Sequence, residues 1–286
     1  MTRQPDDQTV VVGVDGSVEG VEALRYAADA ARIRGMWLLV VHAYQLPFVG
    51  WDMPLDELSA AAQKAALRVT ADALSQVSLP AGLVVDTGAE LNTAVLMLQR
   101  LSDHVAMVVL GQHASDPSDA AGAAFGASSL VAAASCPVVL VPRGWGWNRA
   151  QARSLVVGLD RESAVEDVLR FAFAEVERRG WPLIVIRAVS EEDGSAGCLP
   201  ELMKLEELLA EHERDHAELP VAAVLVPGDL ALVLEHSRHA GLLVLGRPLT
   251  ASAPGSEPGS FGGRVLTSAA CPVAVVPRLP ACPAAA

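Results

Sequence analysis

The chain has 286 residues, 51% of them apolar and only 4% aromatic, with a net charge of −13. That length admits one large domain or two of about 100–200 residues, and the apolar share is too high for a disordered chain. The acidic balance argues against non-specific nucleic-acid binding, which needs clustered Lys and Arg, and against docking to anionic membranes.

Residues 1–8 are polar and include Asp6 and Asp7. No basic stretch leads into an apolar one, so no secretory signal is read and a cytoplasmic location is expected. Residues 10–14 form an apolar strand that ends in Asp15-Gly16-Ser17, a turn and helix N-cap signal. Residues 21–33 then carry apolar side chains at helical spacing. Further along come a strand at 37–43, an Ala-rich helix at 55–77, a strand at 83–85, a helix at 91–101 and a strand at 107–110. A small-residue loop over 111–123 precedes a helix at 128–134 and a fifth strand at 138–141. The linker 144–153, GWGWNRAQAR, holds Trp145 and Trp147, expected to pack at the domain junction. A second set follows: strands at 155–159, 183–189, 221–226, 242–245 and 273–276, with helices at 164–179, 202–217, 230–240 and 266–270. Runs of Val and Leu alternating with helices indicate parallel sheets buried on both faces. No apolar stretch approaches the ~18 residues of a membrane span.

The two sets are copies. TVVVGVDGSVEGVEALRYAADAARIRG at 9–35 is echoed by SLVVGLDRESAVEDVLRFAFAEVERRG at 154–180, and SCPVVLVPR at 135–143 by ACPVAVVPR at 270–278. The domains expected are therefore 1–143 and 154–286. Cys136 and Cys271 open matching strands and read as small buried hydrophobes. With Cys198 and Cys282 they make no C-x-x-C pair. The pairs His212/His216 and His236/His239 have chelating spacing on their helices, but their acidic neighbours favour a solvated face. No G-x-S-x-G elbow or H-E-x-x-H occurs, and Ser17 reads as a helix N-cap rather than a nucleophile. No general base or metal-binding carboxylate pair stands out, so no catalytic or metal residue is assigned.

Three marks give the chain its resemblance to the universal stress protein family in its tandem-domain form. They are V-V-G-V-D-G-S at 11–17, C-P-V followed by an apolar run in both halves, and a glycine-led loop 25 residues before each of Cys136 and Cys271. The resemblance implies an α/β fold of two tandem doubly wound five-stranded parallel-sheet domains, adenine nucleotide alpha hydrolase-like. It implies that the apolar strands 138–141 and 273–276 pair to form a pseudo-dimer. ATP is the cofactor implied, with an Asp at the end of strand one reading adenine and a G-x2-G-x9-G-S/T loop after strand four holding phosphates. Each copy keeps a different part of this pattern. The first has Gly13, Asp15, Gly16 and Gly111, with Gly126 and Ser128 near the final pair but out of register. The second has Gly158, Asp160, Gly246, Gly259 and Ser260, but Arg161-Glu162 follows its Asp. The partners expected are adenine nucleotide and a further protein, with a homodimer possible and no nucleic acid or membrane. Two readings stay open: a stress-response regulatory protein that binds ATP without turnover, and a pure interaction protein with vestigial sites.

Overall fold

A computed structural model describes residues 4–46, 55–112, 123–145, 153–159, 165–189, 194–216, 218–227, 230–247 and 268–278. The chain divides into two compact units, Met1–Arg149 and Ala150–Ala286.

The first unit contains β1 (Thr9–Gly13), α1 (Val18–Arg34), β2 (Trp37–Tyr44), α2 (Leu55–Ser75), β3 (Val85–Leu91), α3 (Ala94–Ser102), β4 (Met107–Gln112), α4 (Ala123–Ala133) and β5 (Val138–Pro142). Its strands lie in the order β3-β2-β1-β4-β5. Every pairing is parallel, with Val11 opposite Leu39 on one side and Val108 on the other. Val10, Val11, Val12, Val108 and Val109 are fully buried, as strands covered by helices on both faces must be. Helix α1 starts where Ser17, its N-cap, accepts from Gly20 N, and stops at Gly35, whose φ of 65° closes a left-handed cap. The stripe Ala23, Leu24, Ala27, Ala30, Ala31 is buried in the core.

The second unit repeats the plan: β6 (Leu155–Leu159), α5 (Val165–Arg179), β7 (Leu183–Val189), α6 (Gly194–Asp215), β8 (Val221–Pro227), α7 (Leu230–Ser237), β9 (Leu242–Gly246) and β10 (Val273–Val276). Here the order is β10-β9-β6-β7-β8, again parallel within the unit. Gly180, with φ 64°, ends α5 as Gly35 ends α1.

Four expected elements move. The third strand is not 83–85 but Val85–Leu91. Val84 is 60% exposed, and the strand continues through polar residues because it is an edge paired only with β2. Helix α3 consequently begins at Ala94 under a Thr93 cap, since Leu91 is still paired to Tyr44. Helix α4 starts at Ala123, five residues before the expected 128, and α6 starts at Gly194 instead of 202. The helix expected at 266–270 falls mostly outside the described residues. Trp145 packs edge-on against Tyr26 of α1, ring centres 5.8 Å apart, and so belongs to the first unit's own core.

Candidate functional site

In the first unit the strand order reverses at β1, which sends one crossover to β2 and has β4 on its other side. Doubly wound sheets bind ligands at this point, beyond the carboxyl ends of the strands. A cavity of about 340 Å³ lies there, between the ends of β1, β2 and β4 and helices α3 and α4. Its walls are apolar, with Val41, Met97, Leu98, Leu110 and Leu130 prominent, and its polar groups are Asp15, His42 and Thr93.

Each polar group is held by local chemistry. Asp15 Oδ1 accepts from Ser17 N at 3.0 Å and from the Ser17 hydroxyl at 2.5 Å, and Ser17 Oγ in turn accepts from Gly20 N at 3.0 Å. The Asp15 carboxylate is thus tied to the N-cap residue of α1, where a negative charge is favoured by the helix dipole. Gly16, at φ +87°, permits the turn. His42 Nδ1 lies 2.6 Å from Val14 O. A carbonyl only accepts, so Nδ1 carries the proton of this bond. Thr93 caps α3 by accepting from Leu96 N.

Gly111, read as opening the phosphate loop, and Gly13 of the strand-one motif both have close protein neighbours. A Cβ at Gly111 would stand 2.5 Å from the Glu19 carbonyl carbon and oxygen, so this glycine lets β4 meet the first turn of α1. At Gly13 a Cβ would meet Leu110 Cδ2 at 2.7 Å and Leu98 Cδ1 at 3.3 Å. Gly126 and Ser128 are the other two residues expected near the phosphate loop of this copy. Both lie inside α4, past its first turn, where backbone N–H groups are already paired along the helix, and Ser128 is exposed. Ala127 and Leu130 of that helix line the cavity instead.

In the second unit Gly158 plays the part of Gly13: a Cβ there would meet Leu245 Cδ2 at 2.7 Å and Val233 Cγ1 at 2.9 Å. Gly246 ends β9 opposite Val276. Asp160, Gly259 and Ser260 lie outside the described residues. His212 and His216 both stack on Phe173, at 5.0 and 5.3 Å between ring centres. Among the described residues no group of three or more His, Cys, Asp or Glu could hold a metal.

Sequence reasoning missed His42, Thr93 and Glu19. His42 carried a signal, since it is the polar interruption at the carboxyl end of a buried apolar strand. Glu19 is buried, and its Oε1 pairs with Arg143 Nε at 3.2 Å.

An adenine nucleoside suits this cavity: a planar apolar body would fill it, and Asp15, Thr93 and His42 supply polar contacts. Gly111 is taken up by Glu19, and no Lys or Arg is among the lining residues described.

Fold and cavity together define a tandem α/β protein whose first unit carries a cavity at the switch point of its sheet. The model of the universal stress protein family matches residues 8–142. A universal stress protein of Mycobacterium tuberculosis strain H37Rv is 30% identical over 96% of this chain and 99% of its own length. One from Mycolicibacterium smegmatis is 26% identical with the same coverage. The crystal structure of a universal stress protein from Archaeoglobus fulgidus superposes with a TM-score of 0.70 at 18% identity, covering 95% of this chain and 97% of the other. The chain belongs to the universal stress protein family. No helix among the described residues is long and apolar enough to cross a membrane.

Proposed function

We propose that this protein is a cytoplasmic stress-response regulator that holds an adenine nucleotide or its nucleoside without significant turnover, and whose ligand state is read by a protein partner. The observation that carries this reading is the cavity of about 340 Å³ at the sheet's switch point, with Asp15 at its mouth. It is the position at which the family resemblance puts adenine recognition. The second unit retains Gly259-Ser260 at the spacing of a phosphate loop, so phosphate binding is proposed for that unit.

The test is direct. Protein purified under native conditions is denatured, and the released small molecules are chromatographed and weighed. An adenine compound near one equivalent per chain supports the reading; none, together with no calorimetric heat from adenosine, AMP or ATP, overturns it. A second reading, an interaction protein with vestigial sites, is favoured by one observation: the Gly111 contact with Glu19 explains that glycine by packing alone. Partner capture unchanged by saturating nucleotide and by Asp15→Ala would favour it.

A further inference from the structure

We infer that His42 is a positioning residue of the first unit's cavity: its ring, bonded to the Val14 carbonyl, sets the peptide group from which Asp15 leaves β1 and so places the Asp15 carboxylate at the cavity. The inference rests on the reading above, that adenine compounds bind here, and names the residue that readies the site for them.

Three observations carry it. The first is where the backbone ladder stops. The parallel register of β1 and β2 ends with Gly13 opposite Val41, and beyond it one backbone bond runs from Val14 N to Val41 O at 2.9 Å. Strand β2 continues past that point to Tyr44 alongside β3. In a continuing ladder the Val14 carbonyl would accept from a backbone N–H of β2. Its donor here is the His42 side chain, with Nδ1 2.6 Å away. The two strands part at Val14, and His42 is the tie across the parting.

The second observation is what the tied atom belongs to. The Val14 oxygen and the Asp15 nitrogen share one rigid peptide plane. Holding the oxygen therefore sets the direction in which the Asp15 Cα departs.

The third is that Asp15 is held on its other side as well. Gly16 turns the chain at φ +87°, and a Cβ on Gly20 would stand 3.0 Å from Asp15 Oδ1. That oxygen accepts from the Ser17 N–H and hydroxyl. The turn between β1 and α1 is thus pinned by His42 before Asp15 and by the α1 cap after it, and both Asp15 and His42 line the cavity. Removing the ring leaves the cap in place but frees the peptide that precedes it, so the carboxylate shifts without loss of the fold.

The experiment is calorimetric titration of the full-length protein with adenosine and with ATP. It compares the parent with His42→Leu, His42→Gln, His42→Asn, Asp15→Ala, and Asp15→Ala combined with His42→Leu. Thermal melts establish that each is folded. Asn carries an N–H near the place of Nδ1 and nothing at the place of Nε2, whereas Gln reaches the place of Nε2. The binding followed is the part that Asp15→Ala weakens. We expect His42→Leu and His42→Gln to weaken it about fivefold or more, the scale of one lost hydrogen bond. His42→Asn should bind within about twofold of the parent, and His42→Leu should cost less than about twofold once Asp15 is already Ala. Where Asp15→Ala leaves no measurable binding, or His42→Leu does not fold, the contrast of Asn with Gln decides. A ring that met the ligand through Nε2 would give the reverse order, with Gln binding and Asn not. That order overturns the inference while the adenine reading stands. So does a loss in His42→Asn equal to that in His42→Gln, a loss in His42→Leu undiminished by Asp15→Ala, binding unchanged in His42→Leu and His42→Gln, or binding that Asp15→Ala leaves intact. If neither ligand binds the parent, the reading and the inference fail together.

Discussion

Cys136 sits two residues before β5, 5% exposed, and burial pushes its thiol up to about 12. The thiolate is the reactive species, so almost none is present at neutral pH. Native protein treated with iodoacetamide at pH 8 should leave Cys136 unmodified by peptide mass spectrometry, with full labelling only after denaturation; rapid native labelling would show that the site opens. The glycines invite a sharper comparison. Gly111→Ala should destabilise by about 1–3 kcal/mol, the usual range for overpacking, because its neighbour is the backbone of Glu19 and cannot move alone. Gly13→Ala should be milder: its neighbours are the ends of Leu110 and Leu98, which can swing into the adjoining cavity. Denaturant titration of the two variants compares them, and an equal loss would refute the distinction. Asp15, Gly16 and Ser17 were legible in the sequence because turn and cap chemistry is local to three residues. The role of Gly111 was not, because Glu19 lies 92 positions earlier and only the fold brings the two together.

Helices α5 and α6 meet through aromatic stacking that carries its own pH dependence. His212 and His216 lie against Phe173, and His216 Nδ1 is 3.9 Å from Glu177 Oε2. Burial lowers the pKa of His212 from its ordinary 6.5; His216 and Arg170 lower it further, while Glu211 and Glu166 oppose them. A base with a depressed folded pKa takes up its proton more readily once unfolded. The stability it confers is therefore full above about pH 6.5 and declines as pH falls towards the lower folded value. Thermal melts at pH 7.5 and 5.5 should show a smaller acid-induced drop in His212→Phe than in the parent; equal drops would remove His212 as a cause. At this scale the strands 155–159, 183–189 and 273–276 were legible from apolar runs that only Arg187 interrupts with a charge, and all three match the structure. The edge strand β3 was misplaced for a related reason. Hydrophobicity marks burial, and an edge strand written VDTGAEL has little of it. Helix α6 likewise extends eight residues further back than the expected start at 202, through a segment that contains Gly and Pro.

Across the whole molecule, the two units share a sheet order but not the same residues after the first strand's Asp, and that bears on chemistry. Phosphoryl transfer needs in-line positioning, a metal held between protein carboxylates and phosphates, and a cation to follow the developing charge. In the first unit, Asp15 Oδ1 is bound into its own turn and Arg143 Nε is paired with Glu19, and no Lys or Arg is among the cavity's described lining residues. The second unit has Arg161, Glu162 and Ser260 near its expected site in sequence. Of these, Glu162 would repel the phosphates it would need to serve. Steady-state assays of full-length protein with Mg-ATP should therefore give less than about 1 turnover per second, below the ordinary enzyme range. Ser260→Ala and Asp15→Ala should leave that residual rate unchanged. A rate above that threshold, lost in Ser260→Ala but kept in Asp15→Ala, would make the second unit an ATPase and the first its regulatory companion.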